Sequence, residues 1–382
     1  MGSSLILNQY SISLELESAG NDSLLIRATC KDNIIPQEQT ELLLQQFQEA
    51  FIEILEAPDA SSSDFHKFPV SLLSCTPAKE DEIPTNTHLL HKFVEGHRRL
   101  TANNIALEFA TSIMEGYVVK ETWTYAQLDD EGNKVANYLL DNGVKTGDRV
   151  GICFEKCPEA SFAILGILKS GCAFVALDYS APVDRKSFII TDSGAKLVLT
   201  MDKYMGELSK LNISAVSLES DARVKTSSSK TPEIPDLKPN DLCYCLYTSG
   251  TTGTPKGCEI THENAVQATL AFQRLFSGHW DAESRCLQFA SFHFDVSVLE
   301  QFWSWSVGIC VTSAPRDLIF QDLALTIREL RITHLDLTPS LAALIKPEDV
   351  PSLCKGVFIT GGEQLKQEIL DAWGETGCLY NG

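Results

Sequence analysis

The chain has 382 residues, 44% of them hydrophobic, with 51 acidic against 31 basic side chains and a net charge of −20. That length allows two or three domains with a sizeable core, and the acidic balance argues against general nucleic-acid binding, which needs clustered positive charge. The longest apolar candidate, "ASFAILGILKSGCAFVAL", is interrupted by Lys169, so no membrane span is expected.

Residues 1–56 open with two strand-like runs, "QYSISLELES" and "SLLIRATCKD", separated by the turn signal "AGND". The helical "QEQTELLLQQFQEAFIEILEA" follows them. Two strands and one helix are too little for an independent core, so this piece belongs with something larger. The N-terminus lacks a basic segment followed by an apolar core, and secretion is not indicated. Residues 57–87 are rich in Pro, Ser and acids and read as a linker.

From His88 the pattern becomes strand–helix alternation. "TWTYAQLDDEGNKVANYLLDNGV" reads as a capped helix, "DRVGICF" as a buried strand and "PEASFAILGILKSG" as a helix closed by Gly171. "AFVALD", "DRKSFIITDSG" and "KLVLTM" continue the alternation, and 218–240 is a polar loop. The strand "LCYCLY" follows, and then "AVQATLAFQRLF", "RCLQFAS", "VSVLEQFWSWSVG", "ICVTSA", "DLALTIRELRI", "THLDLTPSLAALI", "GVFITGG" and "EILDAWG". This βα order predicts an α/β fold with open, mostly parallel sheets flanked by helices and ligands beyond the carboxyl ends of the strands. The twelve cysteines are scattered, with no C-x-x-C, and read as buried thiols of a reduced, cytoplasmic protein.

One loop stands out. "YTSGTTGTPKG" (247–257) combines hydroxyls, glycines and one cation, Lys256, directly after a strand. Glycines admit a ligand close to the backbone, and free N–H groups with hydroxyls make an anion site. It is not a Walker A loop, because Pro255 occupies the second glycine position and Gly257 follows Lys256. A flexible surface loop would share this composition but not its place after a strand.

The loop closely resembles the phosphate loop of the adenylate-forming enzymes, the superfamily of acyl-CoA synthetases, luciferases and peptide-synthetase adenylation domains. "WTYAQLDDEGNKVANYL", "GDRVGICFEKCPE", "LKSGCAFVALDYSAP", "FHFDVSVLEQF" and "FITGGEQL" resemble further motifs of that superfamily in the same order. "FDVS" with Asp295 is similar to the amino-acid-activating branch, the adenylation domains of nonribosomal peptide synthetases. The region 337–374 is similar to fungal hydroxamate-siderophore synthetases, and 1–56 resembles the end of a condensation domain.

The resemblance implies the large N-terminal domain of the acyl-CoA synthetase-like fold over 88–382. It also implies ATP-dependent formation of aminoacyl-AMP with Mg²⁺, followed by loading onto phosphopantetheine of a carrier domain, in company with condensation domains and without nucleic acid or membrane. Thr248, Ser249, Gly250, Thr251, Thr252 and Gly253 would wrap the triphosphate. Lys256 would either supply charge near the phosphates or fix the loop. Gly361, Gly362, Glu363 and Asn381 would line the adenine. Asp295 would bind the substrate ammonium, although a helix N-cap is the plainer role for it. Val296, Leu299, Asp336, Ile359, Gly361 and Gly382 would complete the side-chain pocket, with the two glycines deepening it.

An acceptor at Asp336 asks for a donor on the substrate, as an Nδ-acyl-Nδ-hydroxyornithine would offer; a water-satisfied Asp336 beside a smaller amino acid is the alternative. His262, His293, Trp303 and Trp305 read as structural. The Mg²⁺-binding acid, the hinge and the catalytic lysine of the superfamily would fall after Gly382, so the chain reads as truncated and weak or inactive alone. An acyl- or aryl-CoA ligase and a non-catalytic nucleotide-binding scaffold are the competing functions.

Overall fold

The computed structural model describes residues 12–20, 23–30, 37–56, 82–248 and 254–382. Contacts divide the chain into two units, Met1–Glu82 and Ile83–Gly382. Most of the expected linker, residues 57–81, lies outside the described residues.

In the first unit, β1 (Ile12–Ser18) pairs antiparallel with β2 (Leu24–Cys30), and α1 (Gln37–Glu56) follows. Among its described residues no hydrophobic side chain is buried, and Leu16, Ile54 and Leu55 are at least half exposed.

The second unit begins with α2 (Lys92–Leu100), the hairpin β3 (Ile105–Met114) and β4 (Tyr117–Thr124), and α3 (Tyr125–Asp141). Thr124 starts α3 by a reciprocal cap: its hydroxyl accepts from Gln127 N–H at 3.2 Å, and Gln127 Oε1 accepts from Thr124 N–H at 2.9 Å. Next come β5 (Arg149–Cys153), α4 (Pro158–Lys169), β6 (Ala173–Ala176), α5 (Val183–Ser193), β7 (Leu197–Thr200) and β8 (Ser214–Ser217). β9 (Leu242–Thr248) and β10 (Lys256–Thr261) follow, and then α6 (His262–Leu275), β11 (Arg285–Leu287), α7 (Val296–Val307) and β12 (Cys310–Ser313). The last elements are α8 (Leu323–Glu329), β13 (His334–Leu337), β14 (Val357–Thr360), α9 (Gln367–Trp373) and β15 (Leu379–Asn381).

These strands form two sheets, ordered β10-β9-β6-β5-β7-β8 and β15-β14-β13-β11-β12-β3-β4. All pairings are parallel except the edge hairpins β9–β10 and β3–β4. The short central strands β6, β7 and β12 are buried along their whole length, as parallel strands covered on both faces must be. The β3–β4 hairpin was not expected from the sequence. Its outer strand β4 is mostly exposed, so it lacks the alternation by which a half-buried strand is recognised.

Helix α7 is a core helix. Phe302 and Trp305 are buried, and Trp305 Nε1 donates to Ala106 O at 3.0 Å. Gly308, at φ 81°, closes it in the left-handed conformation glycine adopts freely. Helices α3 and α4 pack so closely that a Cβ on Gly166 would lie 2.4 Å from Val135 Cβ.

Lys169, the cation interrupting the apolar run, is itself buried. It is held by Glu95 and Asp129, each at 2.8 Å, and Arg98 takes the other oxygen of Asp129 at 3.0 Å. Burying an ion is tolerable only with such partners.

Candidate active site

Thr248 ends β9 and Lys256 begins β10, and the two are register partners. They stand at the feet of the hydroxyl-rich loop, at the end of a strand that pairs in parallel with β6. Ser249, Gly250, Thr251, Thr252 and Gly253 lie outside the described residues. Lys256 is exposed.

The remaining predicted residues lie on the second sheet, on the turn after β14 or on α7, and most of them come together there. Asp295 caps α7, its Oδ1 accepting from Val296 N–H at 2.9 Å, yet it stays exposed. It therefore fills the capping role and leaves carboxylate surface free. Val296 is half-buried on the first turn of the same helix. Asp336 on β13 lies beside Ile359 on β14 in parallel register. Leu299, Asp336 and Ile359 share a pocket with Phe276, Trp303 and His334, enclosing about 310 Å³ of empty space counted out to solvent. Burial, and next the charge of Asp295, push the Asp336 carboxyl up from 3.8 to about 7. A carboxyl raised in this way, by burial and by a neighbouring carboxylate, favours a positive charge beside it.

Gly361, Gly362 and Glu363 make the turn after β14, with Gly362 at φ 80°. A Cβ on Gly361 would sit 3.2 Å from Gly382 O, and one on Gly382 would sit 3.6 Å from Ile359 Cγ2. These glycines thus adjoin the pocket wall formed by Ile359. Asn381 lies opposite Thr360 in register. Glu363 is exposed and accepts hydrogen bonds from the hydroxyl and the N–H of Ser340, which hold its carboxyl below the usual range. The turn is thereby tied to the short helix Pro339–Ala342 that follows β13.

Sequence reading missed a polar cluster behind Asp295. Lys156, in the β5–α4 loop, donates to Gln288 Oε1 at 2.6 Å and to Ala290 O, and lies 5.0 Å from the centre of the Phe292 ring. Glu300, buried on α7, accepts from Phe289 N–H at 3.0 Å and Ala290 N–H at 2.9 Å. Gln288 Nε2 donates to Glu300 Oε2 at 3.1 Å, linking the two ions. Burial pushes Lys156 down and Glu300 up, and their mutual attraction opposes both shifts. Lysine in "FEKCPE" and glutamate in a helix carry no local signal of this meeting.

The histidines read as structural are accounted for in part. His262 is buried, accepts from Leu90 N–H at 3.1 Å through Nδ1, and is pushed down to about 4 by burial. His293 lies 4.0 Å from Asp178, and burial lowers it. Trp303 and Trp305 are core residues, and Trp303 also lines the pocket. Among the described residues, no group of three His, Cys, Asp or Glu side chains is arranged to hold a metal.

A family model described as AMP-binding enzyme matches residues 98–382. The chain is similar to the nonribosomal peptide synthetase Ao415 of Arthrobotrys oligospora, at 54% identity over 98% of this chain and 11% of that protein. It is also similar to the hydroxamate-type ferrichrome siderophore peptide synthetase of Schizosaccharomyces pombe, at 44% identity over 98% of this chain and 8% of that one. Among solved structures, the fatty acid AMP ligase from Legionella pneumophila shares the fold with a TM-score of 0.66, at 22% identity over 78% of this chain and 55% of that one. The chain thus spans about a tenth of the length of these curated relatives.

Proposed function

The chain belongs to the AMP-binding enzyme family, and from that premise we propose that it activates an amino acid with ATP as aminoacyl-AMP, releasing pyrophosphate. The activated acid would load onto the phosphopantetheine of a carrier domain during nonribosomal peptide, and specifically siderophore, synthesis in the cytoplasm. Residues 1–56 would close a condensation-like domain, 57–87 would link it, and 88–382 would be the large adenylation subdomain. Contacts divide the chain between Glu82 and Ile83, and a boundary within 57–87 is in keeping with that.

The reaction brings two anions together, an amino-acid carboxylate and the α-phosphate of ATP, so orientation and charge neutralisation are the main tasks. Thr248, Lys256 and the loop residues Ser249, Gly250, Thr251, Thr252 and Gly253 would hold the outgoing phosphates. Mg²⁺, when bound, neutralises the triphosphate. Its ligands would be largely phosphate oxygens and water. Gly361, Gly362, Glu363 and Asn381 would line the adenine.

One observation carries the amino-acid reading: the exposed carboxylate of Asp295 stands one helical turn before Leu299, its O accepting from Leu299 N–H at 3.2 Å, and Leu299 lines the pocket that holds Asp336. An α-ammonium pairs with Asp295, and its charge relieves the repulsion between the two acids. A fatty acid offers neither effect. Val296, Leu299, Ile359, Gly361 and Gly382 would complete the pocket.

Within that reading, Asp336 supports a side chain with a polar donor, such as Nδ-acyl-Nδ-hydroxyornithine. The space beside Asp336 is confined, about 310 Å³ even with open solvent included, which favours as a second reading a small amino acid with water on Asp336. ATP–pyrophosphate exchange on the native polypeptide that carries this chain separates them. Exchange with the acylated hydroxyornithine supports the first reading, exchange with glycine or serine alone supports the second, and exchange with a fatty acid alone overturns both.

A further inference from the structure

We infer that Lys156 is a positioning residue that ties the sheet bearing the phosphate hairpin to the loop bearing Asp295, so that the two substrates meet in register. This rests on the amino-acid reading of Asp295 above.

The placement carries the inference. Lys156 follows β5, in the sheet that also holds β9 and β10. Its ammonium reaches the loop after β11, in the other sheet, and binds Gln288 Oε1 and Ala290 O. Glu300 grips the same loop through the N–H groups of Phe289 and Ala290. Residues 288–290 are therefore held by a cation from one sheet and an anion from α7, with Gln288 bonded to both. Five residues on, the chain reaches Asp295, whose carboxylate is fixed at the start of α7. Of the buried polar groups in this region, Ser161 and Gln301 bond each other at 2.9 Å and anchor α4 to α7. They touch neither residues 288–290 nor Asp295. Gln288 N–H also donates to Thr312 O at 2.8 Å and Ser297 Oγ to Phe294 O at 2.8 Å, but these bonds stay within the second sheet and α7. His293 only approaches Asp178, at 4.0 Å, whereas Lys156 reaches residues 288–290 from the first sheet by hydrogen bonds.

A displacement of about 1 Å can cost about 100-fold when two reactants must be aligned. Without Lys156, Gln288 Oε1 loses its donor, Ala290 O keeps only the Gln288 Nε2 donor at 2.7 Å, and Glu300 remains as a buried charge without its counter-ion. The loop then relaxes and Asp295 with it, while the phosphate hairpin, built on β9 and β10, is left as it was.

The test compares two non-hydrolysable adenylate mimics, an aminoacyl sulfamoyladenosine and the same molecule lacking the α-amino group. Binding is measured by calorimetry on the native polypeptide and on Lys156→Gln, Lys156→Arg and Gln288→Met. Wild type should prefer the amino form by about 10- to 100-fold, the range for a hydrogen bond to a charged group. Lys156→Gln and Gln288→Met should reduce that preference to about 2-fold while binding the desamino mimic with unchanged affinity. Lys156→Arg should restore most of it. Gln288→Met keeps side-chain length and volume, and it answers the question if Lys156→Gln does not fold. A wild type without preference overturns the amino-acid reading itself. A wild type with preference, together with variants that keep it or lose both mimics equally, leaves the reading intact and overturns the role of Lys156.

Discussion

Replacing Asp336 with asparagine should flatten the pH dependence of stability. Folding raises the Asp336 carboxyl from 3.8 to about 7. Between those values the folded state keeps a proton that the unfolded state releases. Stability is therefore lost as pH rises through that window, by at most about 1.4 kcal/mol per pH unit and about 4 kcal/mol in all. Asp336 is half-buried and partly relieved by water, so about half of that ceiling is the better expectation. Asparagine keeps the shape without the charge. The assay is urea unfolding of wild type and Asp336→Asn at pH 5, 6, 7 and 8. The variant should gain about 1.4 kcal/mol relative to wild type between pH 5 and pH 8, half of the roughly 2.8 kcal/mol that the two pH units from 5 to 7 allow. Other acids titrate in both proteins, so the difference isolates this carboxyl. A difference that stays constant with pH refutes the shift and the coupling to Asp295.

Asp295→Ala should weaken amino-acid-dependent exchange by about 10- to 100-fold through loss of the ammonium's partner, with the affinity for ATP, read by calorimetry, within 2-fold of wild type. Gly166→Ala forces a methyl group to 2.4 Å from Val135 Cβ and should destabilise by about 1–3 kcal/mol, read as a lower urea midpoint; an unchanged midpoint would show that α3 and α4 can part without cost. Asp129→Ala strips one carboxylate from buried Lys169 and should cost about 3–5 kcal/mol, seen in thermal unfolding. Thr124→Ala removes the cap of α3 and should cost about 1 kcal/mol, a loss that Thr124→Ser should largely avoid.

How much of this was legible in the sequence varied with the range of the interaction. Helix α3 was readable because its signal is local: Thr124 and Gln127 stand three residues apart and cap each other. The buried strands were readable as apolar runs, but their division into two sheets was not. β12 pairs with β3, placing Val311 beside Leu107, and no short-range pattern encodes a partner two hundred residues away. Lys169 looked like an interruption of an apolar run because its partners Glu95 and Asp129 come from other helices. Asp295 and Asp336 were reached through family resemblance, since neither has a local signature beyond a helix cap and a strand position. Lys156, Gln288 and Glu300 were invisible for the same reason as Lys169: each is an ordinary polar residue until the fold brings the three together.

The most direct measurement is the identity of the products. The native polypeptide, supplied with ATP, Mg²⁺ and the amino-acid panel, should accumulate a protein-bound aminoacyl-AMP by mass spectrometry, with one pyrophosphate released per adenylate. Asp295→Ala should form it about 10- to 100-fold more slowly. ADP and phosphate in place of AMP and pyrophosphate, or an adenylate formed only from a fatty acid, would contradict amino-acid adenylation.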